Sequence, residues 1–320
     1  MRKYFLFLAV AVVALSCKKE NEVEDKVAAV PVKEVKIERF DKLFFESKPE
    51  DLPMLKQQFP FFFPAGDPDQ VWIGRMQEPF LRQLYKEAQT KYPDVKALED
   101  DFEDLFKHIK FYYPKFSDPR VVTMINDDES TKAIYAESVV VIPLSVYLGK
   151  DNKIYEGLPK YQVQEFEASQ ILPDVVTSFS NGKIAPATDR SLLAMMIYYG
   201  KELYIKDLLL PDVADHNKIG YTAEQLRWCQ ENEAYMWRYL VDQKLLYDTD
   251  SKLAGRFINP APFSKFYLDI DNESPGRIGQ WVGWQIVRAY MENNKDVTLQ
   301  DLLAKDAKEV FENSKYKPKK

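Results

Sequence analysis

The chain has 320 residues, which is room for one large domain or two small ones. Apolar residues make up 46% and aromatic residues 14%, so a sizeable core is expected and a disordered chain is excluded. The net charge of −6 gives no basic footprint for nucleic acid, so no nucleic-acid partner is predicted.

The first sixteen residues have the pattern of a bacterial signal peptide. Arg2 and Lys3 form a basic start, and Tyr4–Leu15 is an apolar run of twelve residues. A membrane span needs about 20 apolar residues, so this run is too short for a stable transmembrane helix. The run leads into Ser16 and Cys17, where small residues precede a cysteine. We therefore predict a signal peptide over residues 1–16.

Cys17 is the predicted membrane anchor. Its surroundings resemble a bacterial lipobox, although a lipobox usually has Leu at the position of Ala14. Cleavage before Cys17 leaves a cysteine that carries acyl chains such as palmitate, and several chains hold a protein firmly on a bilayer. The alternative is an ordinary signal peptide in which the cysteine is incidental. Cys229 is the only other cysteine, so a lipidated Cys17 leaves no intramolecular disulfide.

A flexible tether is predicted over residues 17–36. This segment is rich in charge, poor in aromatic residues and without a clear period. Acidic residues soon after a lipidated cysteine steer some bacterial lipoproteins to the cell exterior, but Lys18 and Lys19 come first here. The chain is therefore expected in the cell envelope, on the periplasmic side or on the outer membrane. A single α-rich domain over 37–314 and a basic tail over 315–320 complete the predicted organisation.

Hydrophobic spacing predicts helices at the start of the domain and a small sheet after them. Helical spacing of apolar residues runs through Val71–Tyr92 and again through Asp94–Tyr112. The β-branched runs Arg120–Asn126 and Tyr135–Pro143 are separated by a polar turn. This pattern predicts a hairpin, or two strands of a small sheet.

Helices are predicted through most of the remaining chain. They are expected from Asp189 to Tyr204, from Ala223 to Leu246 behind a capping box, after Ser274–Pro275, and from Thr298 to Asn313. The predicted fold class is therefore mainly α with a small β-sheet, an α+β fold in one domain.

No catalytic residue, metal site or cofactor is predicted. His108 and His216 are the only histidines, and neither belongs to the HExxH pattern that places two zinc ligands on one helical face. The sequence also has no GxSxG nucleophile elbow and no glycine-rich phosphate loop. Cys229 lies inside a predicted helix and is interpreted as a buried structural thiol.

The segment Glu273–Asn294 has two distinct helical faces. Gly276, Gly279 and Gly283 fall close together on one of them. Each glycine costs a helix about 1 kcal/mol relative to Ala, so something must offset that cost. We expect that another backbone passes close enough to leave room for only a hydrogen side chain.

The other face of this segment carries a stripe of Arg277, Trp281, Trp284 and Arg288. Their spacing lets guanidinium groups stack on indole rings. One interpretation is a tightly packed core helix whose arginines reach towards solvent. The other is a lined pocket or a surface for a partner, which makes these four residues the candidate binding or packing surface.

Several segments together resemble the gliding motility lipoprotein GldB family. They are the lipobox and the stretches YLGKDNKIYEGLPKY (147–161), SQILPDVVTSFS (169–180), GKELYIKDLLLPDVADHNKIGYT (200–222) and APFSKFYLDIDNESPGRIGQWVGWQIVRAYM (261–291). The resemblance covers essentially all of the chain after the tether. It implies a non-enzymatic envelope lipoprotein that is needed for gliding of Bacteroidetes-type bacteria. Its implied partners are the membrane and the gliding and type IX secretion machinery, with any small-molecule ligand unknown.

The layout is also distantly similar to that of predicted zinc peptidases. In that comparison 169–180 stands where the HExxH helix belongs, and it carries Pro173, Asp174, Thr177 and Ser178 but no histidine. Tyr199-Gly200-Lys201 stands where the peptidases have a Glu-Gly pair. Loss of these ligands removes metal affinity and the activated water. The resemblance therefore implies a zincin-like scaffold without its chemistry, a pseudo-peptidase. The alternative function is a cell-wall-binding or ligand-binding protein, or a hydrolase with a site that the sequence does not show.

Overall fold

A computed structural model describes residues 22–269 and 271–319 of the chain. The signal peptide and Cys17 lie outside the described residues, so the lipid anchor stays a prediction. Among the described residues, none of the helices combines the length and the apolar character needed to cross a membrane.

Short helices and a small sheet build the first half of the described chain. The helices are α1 (22–28), α2 (Phe40–Glu46), α3 (Leu52–Gln58), α4 (Asp69–Gln77), α5 (Pro79–Lys91), α6 (Lys96–Tyr112), α7 (Lys160–Val163) and α8 (Ile171–Ser180). The helix predicted over Val71–Tyr92 is divided at Glu78, whose carboxylate caps the new helix by accepting from Phe80 N and Leu81 N. Pro79 follows at the first helical position, where its missing N–H is not needed.

The sheet has four strands, β1 (Ile37–Arg39), β2 (Arg120–Met124), β3 (Ile134–Ala136) and β4 (Val139–Pro143), in the order β1-β2-β4-β3. β2 pairs with β1 and with β4 in parallel, and only β3 and β4 form an antiparallel hairpin. The hairpin alternative for the two β-branched runs was therefore wrong, and the small-sheet alternative is confirmed. The run Tyr135–Pro143 divides at Glu137, where a φ of 44° turns the chain back on itself.

Helices dominate the second half. They are α9 (Leu192–Leu209), α10 (Asp215–Ile219), α11 (Ala223–Glu231), α12 (Glu233–Asp242), α13 (Lys252–Phe257), α14 (Ile278–Asn293), α15 (Leu299–Ala304) and α16 (Ala307–Ser314). Mostly helical structure with a small mixed sheet confirms the predicted α+β class. The helix predicted over 223–246 is two helices that meet at Asn232, whose side chain donates to Trp228 O.

The start of α14 differs from the prediction. Ser274 does not cap a helix, because its hydroxyl oxygen accepts from the backbone N–H of Ser264, and its proton has Ser264 O and Asp271 O within hydrogen-bond distance. The helix begins at Ile278 behind Arg277, which has left-handed backbone geometry at φ 62°. The backbone N–H of Ile278 donates instead to the Ser264 hydroxyl, 3.3 Å away. A buried hydroxyl that is distant in sequence therefore replaces the local cap.

The centre of the helical half is the crossing of α9 and α14. A Cβ added at Gly283 would collide with the backbone carbonyl of Met196, and one added at Gly200 would collide with the backbone of Gly283. The expected close approach of another backbone is thus confirmed at Gly283. A Cβ at Gly279 would lie 2.9 Å from Phe257 O, which is also too close.

The described part of the predicted tether, residues 22–36, packs against the domain. Residues 22–28 are helical, and Val27 in this helix is only 2% exposed. Glu24 Oε2 lies 3.2 Å from His108 Nε2 on α6, and Val35 is buried. The sparse apolar residues of the segment are therefore sufficient to dock it. The tail also docks in part, since the Tyr316 hydroxyl donates to Glu233 at 2.7 Å.

Candidate functional site

A cavity of about 270 Å³ lies between α8 and α9. We call it the charged cavity, because four cationic and three anionic side chains line it. They are Lys132, Lys206, Lys218, Arg277, Glu165, Asp174 and Glu202. Its remaining wall includes the apolar side chains of Leu203, Ile219 and Ile258.

Separate parts of the chain bring these charges together. α8 carries Asp174, and α9 carries both Glu202 and Lys206 one turn apart. Of the other charged residues, Lys132 precedes β3, Glu165 follows α7, Lys218 lies in α10 and Arg277 directly precedes α14. The α9–α14 crossing fixes the two long helices, so the charges on them have a rigid frame.

Glu165 is the centre of an ion-pair cluster at one side of the charged cavity. Its carboxylate lies 2.6 Å from Lys132 Nζ and 2.6 Å from Arg277 Nη2. Arg277 also donates to Gly220 O and lies over the ring of Tyr221. Burial by itself raises the pKa of Glu165, but Arg277 and Lys132 outweigh it and hold that pKa below its usual range. Glu165 is therefore an ionised, fully paired carboxylate.

Asp174 is as buried as Glu165 but less well paired. It accepts a hydrogen bond from the Tyr147 hydroxyl at 2.9 Å, and Lys132 Nζ is 3.4 Å away. Burial raises the pKa of Asp174, and the nearby negative charge of Glu165 adds to this, against the opposing effect of Lys132. The protonated form of Asp174 is thus favoured more than for an ordinary aspartate.

Lys206 and Glu202 face the same cavity without forming a salt bridge. A Glu followed four residues later by a Lys usually pairs along a helix. Here Lys206 Nζ donates to Lys218 O at 2.9 Å, and the Glu202 carboxylate accepts from the Thr177 hydroxyl at 3.1 Å. Burial lowers the pKa of Lys206, although Glu202 and Asp174 act in the opposite direction. The two opposite charges therefore line one cavity wall without a salt bridge between them.

The structure separates the four residues of the predicted stripe. Trp281 and Trp284 are buried, at 2% and 0% exposure. Arg288 stacks on the Trp284 ring at 3.7 Å and forms ion pairs with Asp207 and Asp215. Arg277 lies instead at the charged cavity. The four side chains therefore do not share one exposed face: three pack in or against the core, and one lines a cavity.

Within residues 22–269 and 271–319, no group of three or more His, Cys, Asp or Glu side chains is arranged to hold a metal ion. His108 contacts Glu24 and the backbone of Asp104 on its own helix. Cys229 is buried, and burial raises the pKa of its thiol.

Sequence reasoning missed most of the charged cavity. Lys132, Glu165, Lys206 and Lys218 are spread over almost ninety positions, and no local motif joins them. One signal was present, because Lys206 interrupts the apolar run of α9 on its buried side. A Lys four residues after a Glu is normally assigned to a solvent-exposed ion pair. The spacing of Glu202 and Lys206 therefore did not indicate that Lys206 lines a cavity.

The fold and the cavity define an α+β domain with a charged recess beside its central helix pair. The family model described as gliding motility protein GldB, of lipoprotein type, matches residues 19–318. The chain therefore belongs to the GldB family, which supports a role in gliding motility and a place in the cell envelope. No protein of curated function and no solved structure matches it. The zincin-like scaffold implied by the resemblance thus gains no support from known folds.

Proposed function

We propose that this protein is a non-enzymatic envelope lipoprotein of the gliding apparatus, which acts through contacts with the gliding and type IX secretion machinery. The observation that carries the proposal is the family match over residues 19–318, which takes in nearly the whole chain. Because the match is not confined to one motif, the whole domain shares the architecture of that family.

Two features of the charged cavity support a non-enzymatic role. The helix α8 contains no histidine, so it offers neither of the zinc ligands that an HExxH helix supplies. Glu165 is ionised and paired with two cations, and its lowered pKa makes it a weak general base. Glu165, Lys132 and Arg277 therefore neutralise one another's charges, which leaves none of them free to act on a substrate.

The lipid anchor at Cys17 is part of the proposal. Its support is the signal-peptide pattern that ends at this cysteine. Residues 22–28 already pack on the domain, so only a short segment separates the domain from Cys17. Acyl chains on Cys17 would therefore hold the domain close to the bilayer.

The test is colony spreading by cells that lack the gene, complemented with the wild-type chain or with Cys17→Ser. We expect the wild-type copy to restore spreading. The Cys17→Ser protein is expected in the soluble envelope fraction, with spreading lost. Spreading without the gene would contradict the role in gliding. A Cys17→Ser protein that stays on membranes and supports spreading would contradict the lipid anchor.

A second candidate is a hydrolase that uses the charged cavity. The observation in its favour is the hydrogen bond from the Thr177 hydroxyl to Glu202, since a hydroxyl beside a carboxylate is one form of activated nucleophile. This candidate predicts that purified protein releases soluble fragments from isolated peptidoglycan and that Thr177→Val abolishes the release. Unchanged peptidoglycan after incubation would remove this candidate.

A further inference from the structure

The pair Glu202 and Lys206 is the feature of the charged cavity that its other charges do not explain. Lys132 and Arg277 form salt bridges with Glu165, and Lys218 forms one with Asp207. Among the described residues, Lys206 has no carboxylate oxygen within salt-bridge distance, although its residue is only 6% exposed. A buried ammonium with a single carbonyl acceptor retains donors for a further partner.

Glu202 has the complementary property. Its one recorded hydrogen bond comes from the neutral Thr177 hydroxyl, and it forms no salt bridge among the described residues. An ionised carboxylate has capacity for several donors, so it can accept from an ammonium group as well. The two residues are one helical turn apart, so their Cβ atoms are about 5–6 Å from each other.

The space in front of the pair limits what can occupy it. The cavity of about 270 Å³ is larger than the roughly 150 Å³ that holds a benzene ring. It is slightly smaller than the range of about 300–1,000 Å³ for pockets of drug-sized ligands. A single small metabolite fits, and Leu203, Ile219 and Ile258 offer apolar contact to a short side chain.

We propose that the charged cavity binds a small zwitterion of the amino-acid type, with its carboxylate on Lys206 and its ammonium on Glu202. A simple anion such as phosphate pairs with Lys206 but leaves Glu202 without a cationic partner beside it. A simple amine pairs with Glu202 but leaves Lys206 without an anionic partner. Only a ligand with both charges satisfies both members of the pair.

This binding does not depend on the role in gliding, because it rests on the cavity alone. The experiment uses the full-length lipoprotein, purified in detergent, and measures binding by isothermal titration calorimetry. The probes are the common L-amino acids and D-alanine, each at neutral pH. For the tightest binder, two analogues are added: the acid without its amino group and the amine without its carboxylate.

We expect at least one amino acid to bind and both of its analogues to bind at least tenfold more weakly. Lys206→Met and Glu202→Gln are each expected to weaken binding of that amino acid at least tenfold. The matched control is Lys201→Met, another buried lysine of α9, which donates to Leu303 O and Lys305 O away from the cavity. Its affinity is expected to equal that of the wild type. Circular dichroism checks that each variant is folded. If Lys206→Met does not fold, Glu202→Gln still tests the proposal.

Three results would overturn the proposal. They are the absence of binding by every amino acid tested, equal binding of the acid that lacks the amino group, and unchanged affinity in both cavity variants. Equal binding of the acid would identify a simple anion site. Unchanged affinity in folded variants would place the ligand elsewhere on the molecule. None of these results bears on colony spreading, so the role in gliding is judged separately.

Discussion

Two neighbouring charged regions on α9 use the same kinds of residue in different ways. Asp207 accepts from Trp284 Nε1, from two nitrogens of Arg288 and from Lys218 Nζ, at distances of 2.6–3.2 Å. One residue earlier, Lys206 has a single carbonyl acceptor within residues 22–269 and 271–319, and it faces the charged cavity. The Asp207 cluster is saturated with partners, whereas the pair Glu202 and Lys206 retains bonding capacity towards the charged cavity.

The difference shows how buried charged residues that stabilise the fold can be distinguished from those that are available to a ligand. A saturated cluster joins α9, α10 and α14, and its loss exposes buried groups that have no other partner. An unsaturated pair adds little to folding, because burial disfavours the charge of Lys206 and its one carbonyl partner among the described residues returns little of that cost. Stability should therefore respond strongly to changes in the first region and weakly to changes in the second.

The largest expected effect tests the frame that holds both regions. Gly283→Ala places a methyl group against the backbone carbonyl of Met196, so α9 and α14 must move apart. We expect a loss of about 3 kcal/mol in the free energy of unfolding, at the upper end for overpacking. Urea denaturation measures it. The control is Gly74→Ala in α4, where no atom lies within 4 Å of the added Cβ. That variant should gain roughly 0.5–1 kcal/mol. Equal stability of the two variants would show that the close crossing is not there.

The next effect tests the saturated region. Asp207→Asn removes the charge that Arg288 and Lys218 share, and it turns an amide N–H₂ towards one of these donors. We expect a loss of about 2 kcal/mol, in line with hydrogen bonds to charged groups. Asp212→Asn, at an exposed position in the following loop, should stay within about 0.5 kcal/mol of the wild type. A loss below 0.5 kcal/mol in Asp207→Asn would mean that the cluster does not hold the helices together.

A smaller effect of opposite sign tests the unsaturated region. Lys206→Met removes a buried charge that has one hydrogen bond, and its apolar chain fills similar space. We expect the free energy of unfolding to be unchanged or to rise by about 1 kcal/mol, as for residues kept for function and not for stability. The same urea experiment measures it. A loss as large as that of Asp207→Asn would erase the contrast between the two regions.

The last prediction concerns a change of stability with pH, at a buried lysine outside both regions. Burial lowers the pKa of Lys201 to about 8, against the opposing charges of Asp306 and Glu309. Between pH 8 and the higher pKa of the unfolded chain, the unfolded state binds more protons at this site, so stability contributed by Lys201 rises with pH. We expect the difference in unfolding free energy between wild type and Lys201→Met to shift in favour of the wild type from pH 7.5 to pH 9.5. A difference that is constant over this range would show that Lys201 titrates normally.

Much of the fold could be predicted from the sequence, because local patterns encode it. The apolar spacing of Asp94–Tyr112 gave α6, and the Thr222–Gln225 capping box gave the start of α11. The destabilising effect of glycine in a helix was sufficient to predict that another backbone lies close to Gly283. Errors arose where groups distant in sequence decide the structure. The Ser264 hydroxyl sets the start of α14. The parallel pairing of β2 with β4 could not be predicted from two β-branched runs in the sequence.

The sequence by itself determined the α+β class, the pattern of a signal peptide ending at Cys17, and the resemblance to the family that the chain belongs to. Periodicity and short motifs carry this information, since they depend on residues close together in the chain. Only the tertiary structure decided that Arg277 lines a cavity while Trp284 and Arg288 pack with Asp207. It also decided that Glu202 and Lys206 each bond to another segment and form no salt bridge with each other. Charge partners in a folded core come from distant segments, so no spacing along the chain specifies them.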